Sequence, residues 1–133
     1  MAGKWFTPGS ARAALVGVRP VAERISRLYR GLERHPAEIG SDKRVDPGYL
    51  EMVQALRAAL SELHEAGVRV QDARRGRLYF PARRLGREVL LCWQVGEAQL
   101  AYWHEPGDES GRRQPVDENG PWDAGGDGGD PAE

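Results

Sequence analysis

Three histidines and one cysteine are the side chains in this chain that could support metal binding or catalysis. His104 ends the aromatic run 102–104 and is the best candidate, either as a ligand or base or as a structural histidine bonded to a nearby carbonyl. Cys92 lies twelve residues earlier. The acidic residues that could join these two are Asp72, Glu97 and Glu105. A zinc site needs three or four ligands, usually at recognisable spacing, and this set lacks that spacing. The sequence therefore assigns no metal ligand.

The motifs of the common enzyme classes are missing from the sequence. It has no Gly-x-Ser-x-Gly elbow and no glycine loop for a phosphate, and the His64-Glu65 pair lacks the second histidine of a zinc-protease helix. We therefore assign no catalytic residue, and the sequence names no cofactor. An enzyme is the less favoured interpretation.

Arginines are concentrated in one part of the chain. Seven lie between Arg69 and Arg87, against a single acid, Asp72. Arginine binds phosphates and carboxylates in bidentate fashion, and neighbouring exposed aromatic residues could stack a base. The candidate anion-binding residues are Arg74, Arg75, Arg77, Arg83, Arg84 and Arg87. Alternatively these are solvated loop residues, since 17 of the 19 basic residues are arginine. Nucleic-acid binding is allowed by this pattern but is not favoured.

Two helices are predicted in the first half of the chain. Thr7-Pro8 and Asp46-Pro47 each combine a capping side chain with a proline at the first helical position. Apolar residues follow each start at steps of three and four, which is typical of helices packed side by side. Pro20 should kink the first helix. With a polar loop over 36–45 between them, the helices form an antiparallel hairpin.

After Gly67 the apolar residues alternate with polar ones, which predicts strands. Four are expected, at 68–71, 77–80, 88–95 and 99–104, with a proline at position 81 ending the second. The predicted fold class is α+β, with an N-terminal antiparallel helical hairpin packed on a C-terminal antiparallel four-stranded β-meander.

The last hairpin decides whether Cys92 and His104 can meet. A turn centred between Gly96 and Glu97 pairs Cys92 with Ala101 and places Cys92 and His104 on opposite faces of the sheet, so that they cannot share a metal. A change of one residue in the loop length reverses this conclusion.

Charge is divided unevenly along the chain. Residues 1–104 carry 17 Lys/Arg and 11 Asp/Glu, whereas residues 105–133 carry 2 and 9. We predict a single domain over 1–116 and a disordered acidic, Gly/Asp-rich tail over 117–133, because so few apolar residues cannot offset the ordering entropy. The tail either competes for an anion-binding surface or is a solvated extension. The single cysteine and the absence of a signal-peptide run or a stretch of ~20 apolar residues predict a cytoplasmic protein without a membrane span.

Several motifs of the sheet region resemble one family. They are Phe80-Pro81, Leu91-Cys92-Trp93, Gly96-Glu97, Trp103-His104 and Gly111-Arg112. With the first helix, they are similar to the bacterial domain of unknown function family 2203, from residue 6 to about residue 116. Because that family is uncharacterised, the resemblance implies no activity. It does imply a candidate functional cluster: Asp72, Cys92, Trp93, Glu97, Trp103, His104 and Arg112. The chain departs from the family pattern over 107–111, where an aromatic residue is missing.

The sequence favours a small non-enzymatic binding or interaction module with an Arg-rich anion-binding surface. Its partner is then an unknown protein or another anionic molecule. A homodimer through the helical hairpin, using Leu28 and Met52, is an alternative to a monomer. The competing hypothesis is a metal- or small-anion-binding enzyme centred on His104, with Asp72 and Arg112 as neighbours.

Overall fold

Two capped helices and a meander of short strands make up the fold. The computed structural model describes residues 4–35, 38–39, 44–107 and 112–126. The elements in chain order are α1 (Pro8–Arg34), β1 (Glu38–Ile39), β2 (Arg44–Val45), α2 (Pro47–Glu65), β3 (Arg69–Asp72), β4 (Arg77–Arg84), β5 (Arg87–Gln94), β6 (Tyr102–His104) and β7 (Gln114–Pro115). β3 to β7 form one antiparallel sheet in sequential order. The predicted α+β class with an N-terminal helical hairpin is confirmed.

Local capping explains why both helices begin where the sequence predicts. The Thr7 hydroxyl accepts a hydrogen bond from Ser10 N at 3.0 Å, and Ser10 Oγ accepts one from Thr7 N at 2.8 Å. Asp46 accepts a hydrogen bond from Gly48 N at 3.1 Å. These side chains satisfy amides that have no partner inside the helix. α1 continues through Pro20 to its end at Arg34.

The connection between the helices differs from the predicted polar loop. β1 and β2 pair with each other as a small antiparallel ladder, with residue 38 opposite residue 45 and residue 39 opposite residue 44. The rest of the predicted loop, residues 36–37 and 40–43, lies outside the described residues.

The sheet has five strands rather than the predicted four. β7 pairs with β6 and is too short to give a recognisable alternating pattern. β4 also continues past Pro81, which was predicted to end it. The Pro81 carbonyl accepts a hydrogen bond from Phe6 N at 2.7 Å. Because the nitrogen and carbonyl of a strand residue point to the same side, the Pro81 nitrogen faces the N-terminal segment and removes no bond to β5.

The register of β5 and β6 corrects the predicted one. Leu90 lies opposite His104 and Cys92 lies opposite Tyr102, so the predicted pairing of Cys92 with Ala101 is wrong by one residue. The connection over 95–101 is longer than a two-residue turn, which moves β6 along β5. Side chains alternate between the two faces of a strand, so Cys92 and His104 share a face.

The core lies between α1, α2 and one face of the sheet, here called the inner face. The largest fully buried side chains are Trp93, Phe80, Ile25, Leu63, Leu78, Leu91, Leu100 and Val89. The members from β4 and β5 occupy alternate positions, which places the intervening residues on the opposite, outer face. In the described part of the chain, neither helix has a stretch both long and apolar enough to cross a membrane.

Residues 117–126, here called the strap, lie along the end of the sheet. Trp5 and Gly126 exchange two backbone hydrogen bonds, of 2.8 and 2.9 Å, and Asp123 N donates to Arg83 O at 2.9 Å. Trp122 packs edge-to-face on Trp103, with ring centroids 6.0 Å apart. This part of the predicted tail therefore makes ordered contacts, because its single large aromatic side chain finds a partner on the sheet. A domain boundary at residue 117 stays a prediction, and residues 127–133 lie outside the described part.

Candidate functional site

His104 on β6 and Cys92 on the adjacent strand β5 both lie on the outer face of the sheet. His104 is only 4% exposed and Cys92 only 2%. The Nδ1 atom of His104 lies 2.9 Å from Glu105 O, and the Tyr79 ring packs edge-to-face on the imidazole at 4.7 Å between centroids. In the described part of the chain, His, Cys, Asp and Glu side chains form no group of three or more that could hold a metal ion.

Cys92 belongs to a closed polar cluster with Arg113 and Glu97. Arg113 donates to both carboxylate oxygens of Glu97, at 2.8 and 3.0 Å, and its Nε lies 3.4 Å from Cys92 Sγ. Burial raises the pKa of the Cys92 thiol, and the Arg113 contact only partly offsets it. A thiol in this setting stays protonated at neutral pH and is a poor nucleophile. The family resemblance pointed to Arg112 as a member of the candidate cluster, whereas its neighbour Arg113 makes the contact.

Asp72 and Arg112 do not join His104. Asp72 lies opposite Arg77 on β4. His104 lies opposite Leu90 of β5, and Leu90 lies opposite position 81 of β4. Three strand intervals, about 14 Å, therefore separate Asp72 from His104 across the sheet, in addition to four residues along it. The Asp72 carboxylate instead accepts a hydrogen bond from Arg75 N at 3.1 Å. Arg112 is exposed.

Trp93 and Trp103 lie on the inner face, away from His104. Trp93 is 1% exposed, and its Nε1 donates to Glu97 O at 3.0 Å, which fixes the β5–β6 connection. Trp103 is 7% exposed and packs against the strap. Of the seven residues in the predicted cluster, Cys92 and Glu97 meet through Arg113, Cys92 shares the outer face with His104, and the others contribute to packing or lie apart.

The six arginines predicted to bind anions do not form one surface. Arg77 and Arg84 are separated by the length of β4, about 23 Å. Four of the six form ion pairs within the chain: Arg74 with Glu33, Arg75 with Asp72, Arg84 with Asp117 and Arg87 with Glu105. Arg77 donates to Gln94 Oε1 at 3.0 Å. Whether these residues bind anions stays a prediction. Among the six, only Arg83 and Arg84 lie over aromatic rings, and as consecutive strand residues they do so from opposite faces of β4.

The strap lies over Arg84. Arg84 donates to both carboxylate oxygens of Asp117, at 3.0 and 3.4 Å. Its guanidinium carbon lies 4.8 Å from the ring centroid of Trp103 and 4.8 Å from that of Trp122. Trp122 in turn donates through Nε1 to Asp117 O at 2.8 Å. A planar guanidinium both stacks on aromatic rings and forks onto a carboxylate, which suits an acidic and aromatic ligand.

Two further arginines contact the strap. Arg12 of α1 donates to Glu118 Oε1 at 2.7 Å and through Nε to Leu100 O at 3.2 Å. The Glu118 contact raises the pKa of Arg12 and lowers that of Glu118. The Arg83 guanidinium carbon lies 4.2 Å from the centroid of Trp5. Each of Trp5, Arg12, Arg83, Arg84 and Trp103 contacts the strap through its side chain or its backbone, and we call this set the basic-aromatic surface. Arg12 and Trp5 could not be identified from the sequence, because both are remote in the chain from the arginine-rich stretch.

Comparison with known proteins is limited to one family match. No curated protein and no solved structure matches the chain. The family model for the uncharacterized conserved protein DUF2203 matches residues 4–116, which include every member of the basic-aromatic surface and end just before the strap. Because this match covers most of the 133 residues, the chain belongs to the DUF2203 family.

Proposed function

We propose that the chain is a non-enzymatic binding module that recognises an acidic segment of a partner protein at the basic-aromatic surface. One observation carries the proposal: the chain's own acidic strap is bound there through Arg84 and Arg12. Asp117 and Glu118 fill two arginine sites, while the Trp122 ring lies over Arg84 and packs edge-to-face on Trp103. Arginine and aromatic side chains are the residue types enriched in protein interfaces.

An acidic peptide suits this surface better than a nucleic acid. Arg12 and Arg84 each bind one carboxylate. The groups between these two arginines are backbone amides and carbonyls, which pair with an extended peptide. Asp123 N donates to Arg83 O and Leu85 N donates to Pro121 O at 3.3 Å, as a peptide at a strand end does. A nucleic-acid site requires a continuous series of basic side chains for successive phosphates.

The alternative of an enzyme centred on His104 has less support. His104 is buried against Tyr79, and its two predicted neighbours, Asp72 and Arg112, lie apart from it. The support for a binding module comes instead from ion pairs that are already made by an acidic peptide segment.

The direct test uses the full chain with the strap loosened by Asp117→Asn and Trp122→Ala. The probe is a fluorescent, end-blocked peptide with the sequence of residues 115–126, and binding is measured by anisotropy at two salt concentrations. We expect saturable binding that weakens with salt. Adding Arg84→Gln should lower the affinity about tenfold or more, because a bidentate contact is lost.

Arg87→Gln is the matched control. Arg87 lies opposite Arg84 in the same hairpin but is 76% exposed by side chain and contacts Glu105 rather than the strap. A second control is the same peptide with Asn or Gln at its three acidic positions. Equal effects of Arg84→Gln and Arg87→Gln, or equal binding of the neutral peptide, would overturn the proposal. Tighter binding of a single-stranded oligonucleotide than of the peptide would identify a nucleic-acid site instead.

Two further features belong to the proposal. A cytoplasmic location stays a prediction from the sequence. Self-association through the helical hairpin also stays a prediction: Leu28 and Met52 are half-buried, and Leu50 of α2 is 46% exposed.

A further inference from the structure

We infer that the strap is an intramolecular competitor that closes the basic-aromatic surface until an acidic partner displaces it. This inference rests on the proposed function, since it assumes that the surface binds acidic segments. It adds regulation: the wild-type chain is held in a closed state, and the partner must compete with Asp117, Glu118 and Trp122.

The first support is the position of the strap in the chain. The family match ends at residue 116, and the strap begins at residue 117. The basic-aromatic surface therefore belongs to the family domain, whereas the segment that occupies it lies beyond the matched part. The strap follows β7 directly, so its occupation of the surface is intramolecular and profits from a high effective concentration.

The second support is that two residues bonded to the strap through their backbones carry buried side-chain donors without an acceptor. Trp5 Nε1 and Arg83 Nε are both buried, and in the described part of the chain neither has a hydrogen-bond acceptor. A buried donor without a partner destabilises the state that contains it. The strap backbone passes close to the backbone of Trp5, because a Cβ added at Gly125 would lie 2.7 Å from Trp5 O. A partner segment with acceptors at these two positions would fit better than the strap does.

The third support is that the acidic groups of the strap are held at its exposed side. The Asp117 and Glu118 side chains are 52% and 60% exposed, whereas those of their partners Arg84 and Arg12 are 20% and 35% exposed. Exposed ion pairs contribute little to stability and are screened by salt. The strap can therefore leave at small cost, and its departure uncovers Arg84 for the next carboxylate.

These contacts define what displaces the strap. A ligand shifts a closed–open equilibrium only by its preference for the open state, and a partner that uses the strap's own site binds the open state alone. The displacing chemistry is that of the strap: two adjacent carboxylates, spaced for Arg84 and Arg12, and an aromatic side chain for the Trp103 ring. Its acceptor groups should reach Trp5 Nε1 and Arg83 Nε.

The test compares the wild-type chain with the loosened variant, Asp117→Asn with Trp122→Ala, using the same labelled peptide of residues 115–126. If the strap competes, the affinity of the loosened variant for the peptide is higher than that of the wild type by about tenfold or more. Equal binding by both proteins would overturn the inference and leave the proposed function standing. No binding to either protein would overturn the proposed function itself.

A second measurement does not depend on the variant remaining folded. Amide hydrogen exchange is followed in ¹⁵N-labelled wild-type chain, with and without excess unlabelled peptide. The reporters are Asp123 N, bonded to Arg83 O, and Gly126 N, bonded to Trp5 O. We expect the peptide to accelerate their exchange while the amide of Phe80 in the core strand β4 stays protected. Unchanged exchange of both reporters at saturating peptide would show that the strap is not displaced.

Discussion

Arg113 donates hydrogen bonds to both carboxylate oxygens of Glu97, at 2.8 and 3.0 Å. The pair joins the chain just before β7 to the connection between β5 and β6. Glu97 Oε1 also accepts a hydrogen bond from Gln94 N at 2.8 Å, so one carboxylate ties the β5–β6 connection both to the end of β5 and to the residue before β7. A bidentate arginine–carboxylate pair is among the stronger polar contacts in proteins.

Glu97→Gln should lower the free energy of unfolding by about 1–3 kcal/mol at pH 7, measured by urea denaturation. Burial raises the pKa of Glu97, but the hydrogen bonds from Arg113 and Gln94 N outweigh it and hold the pKa below its ordinary value of 4.5. Its stabilisation is therefore present above 4.5 and lost as the pH falls through the lowered value. Glu51→Gln, at an exposed position on α2, is the control. A wild-type-to-variant difference that stays constant down to pH 2 would contradict the ion-pair explanation.

Cys92 should react slowly with thiol reagents in the folded chain. It is 2% exposed, and burial raises its pKa, so the reactive thiolate is scarce and covered. We expect its modification by Ellman's reagent at pH 8 to be about tenfold or more slower than after denaturation in guanidinium. The control is Glu51→Cys in a Cys92→Ser background, which places a thiol on the exposed side of α2. Equal native rates for the two cysteines would show that Cys92 is accessible.

Gly76→Ala should destabilise the chain more than Gly86→Ala. Both glycines have positive φ, +64° and +77°, so both substitutions carry the left-handed backbone cost of about 1–2 kcal/mol. A Cβ at Gly76 would also overlap the Val95 side chain, whereas one at Gly86 meets nothing within 4 Å. The difference in unfolding free energy therefore isolates the packing of the β3–β4 turn against Val95. Equal losses for the two variants would mean that this contact relaxes freely.

Leu85→Gly should stabilise the chain by about 0.5–1 kcal/mol, read as a higher thermal midpoint. Leu85 and Gly86 form the two-residue β4–β5 turn, and both have positive φ, +53° for Leu85. Leu85 is 76% exposed, so little packing is lost on its removal. Leu85→Asn should act in the same direction, because asparagine tolerates this backbone region. A lower midpoint for both variants would indicate that Leu85 makes a contact that its exposure conceals.

The elements were predictable where the signals are local. The caps at Thr7 and Asp46 each involve neighbours within three residues, and both helix starts are confirmed. The β4 extension was not predictable, because the effect of Pro81 depends on which side of the strand its nitrogen, which has no hydrogen to donate, faces. In this fold that side faces Phe6, which donates to the Pro81 carbonyl.

The sequence by itself determined the α+β class, the order of its two helices and four main strands, and the family, since these follow from capping, periodicity and short motifs. Only the tertiary structure decided which side chains meet. A shift of one residue in the β5–β6 connection moved Cys92 to the face of His104, because strand side chains alternate. Arg84 meets Asp117 across 33 residues and Arg12 meets Glu118 across 106, separations at which no local pattern identifies a partner. The acidic segment that composition alone marks as a tail is for this reason also the best indication of what the surface binds.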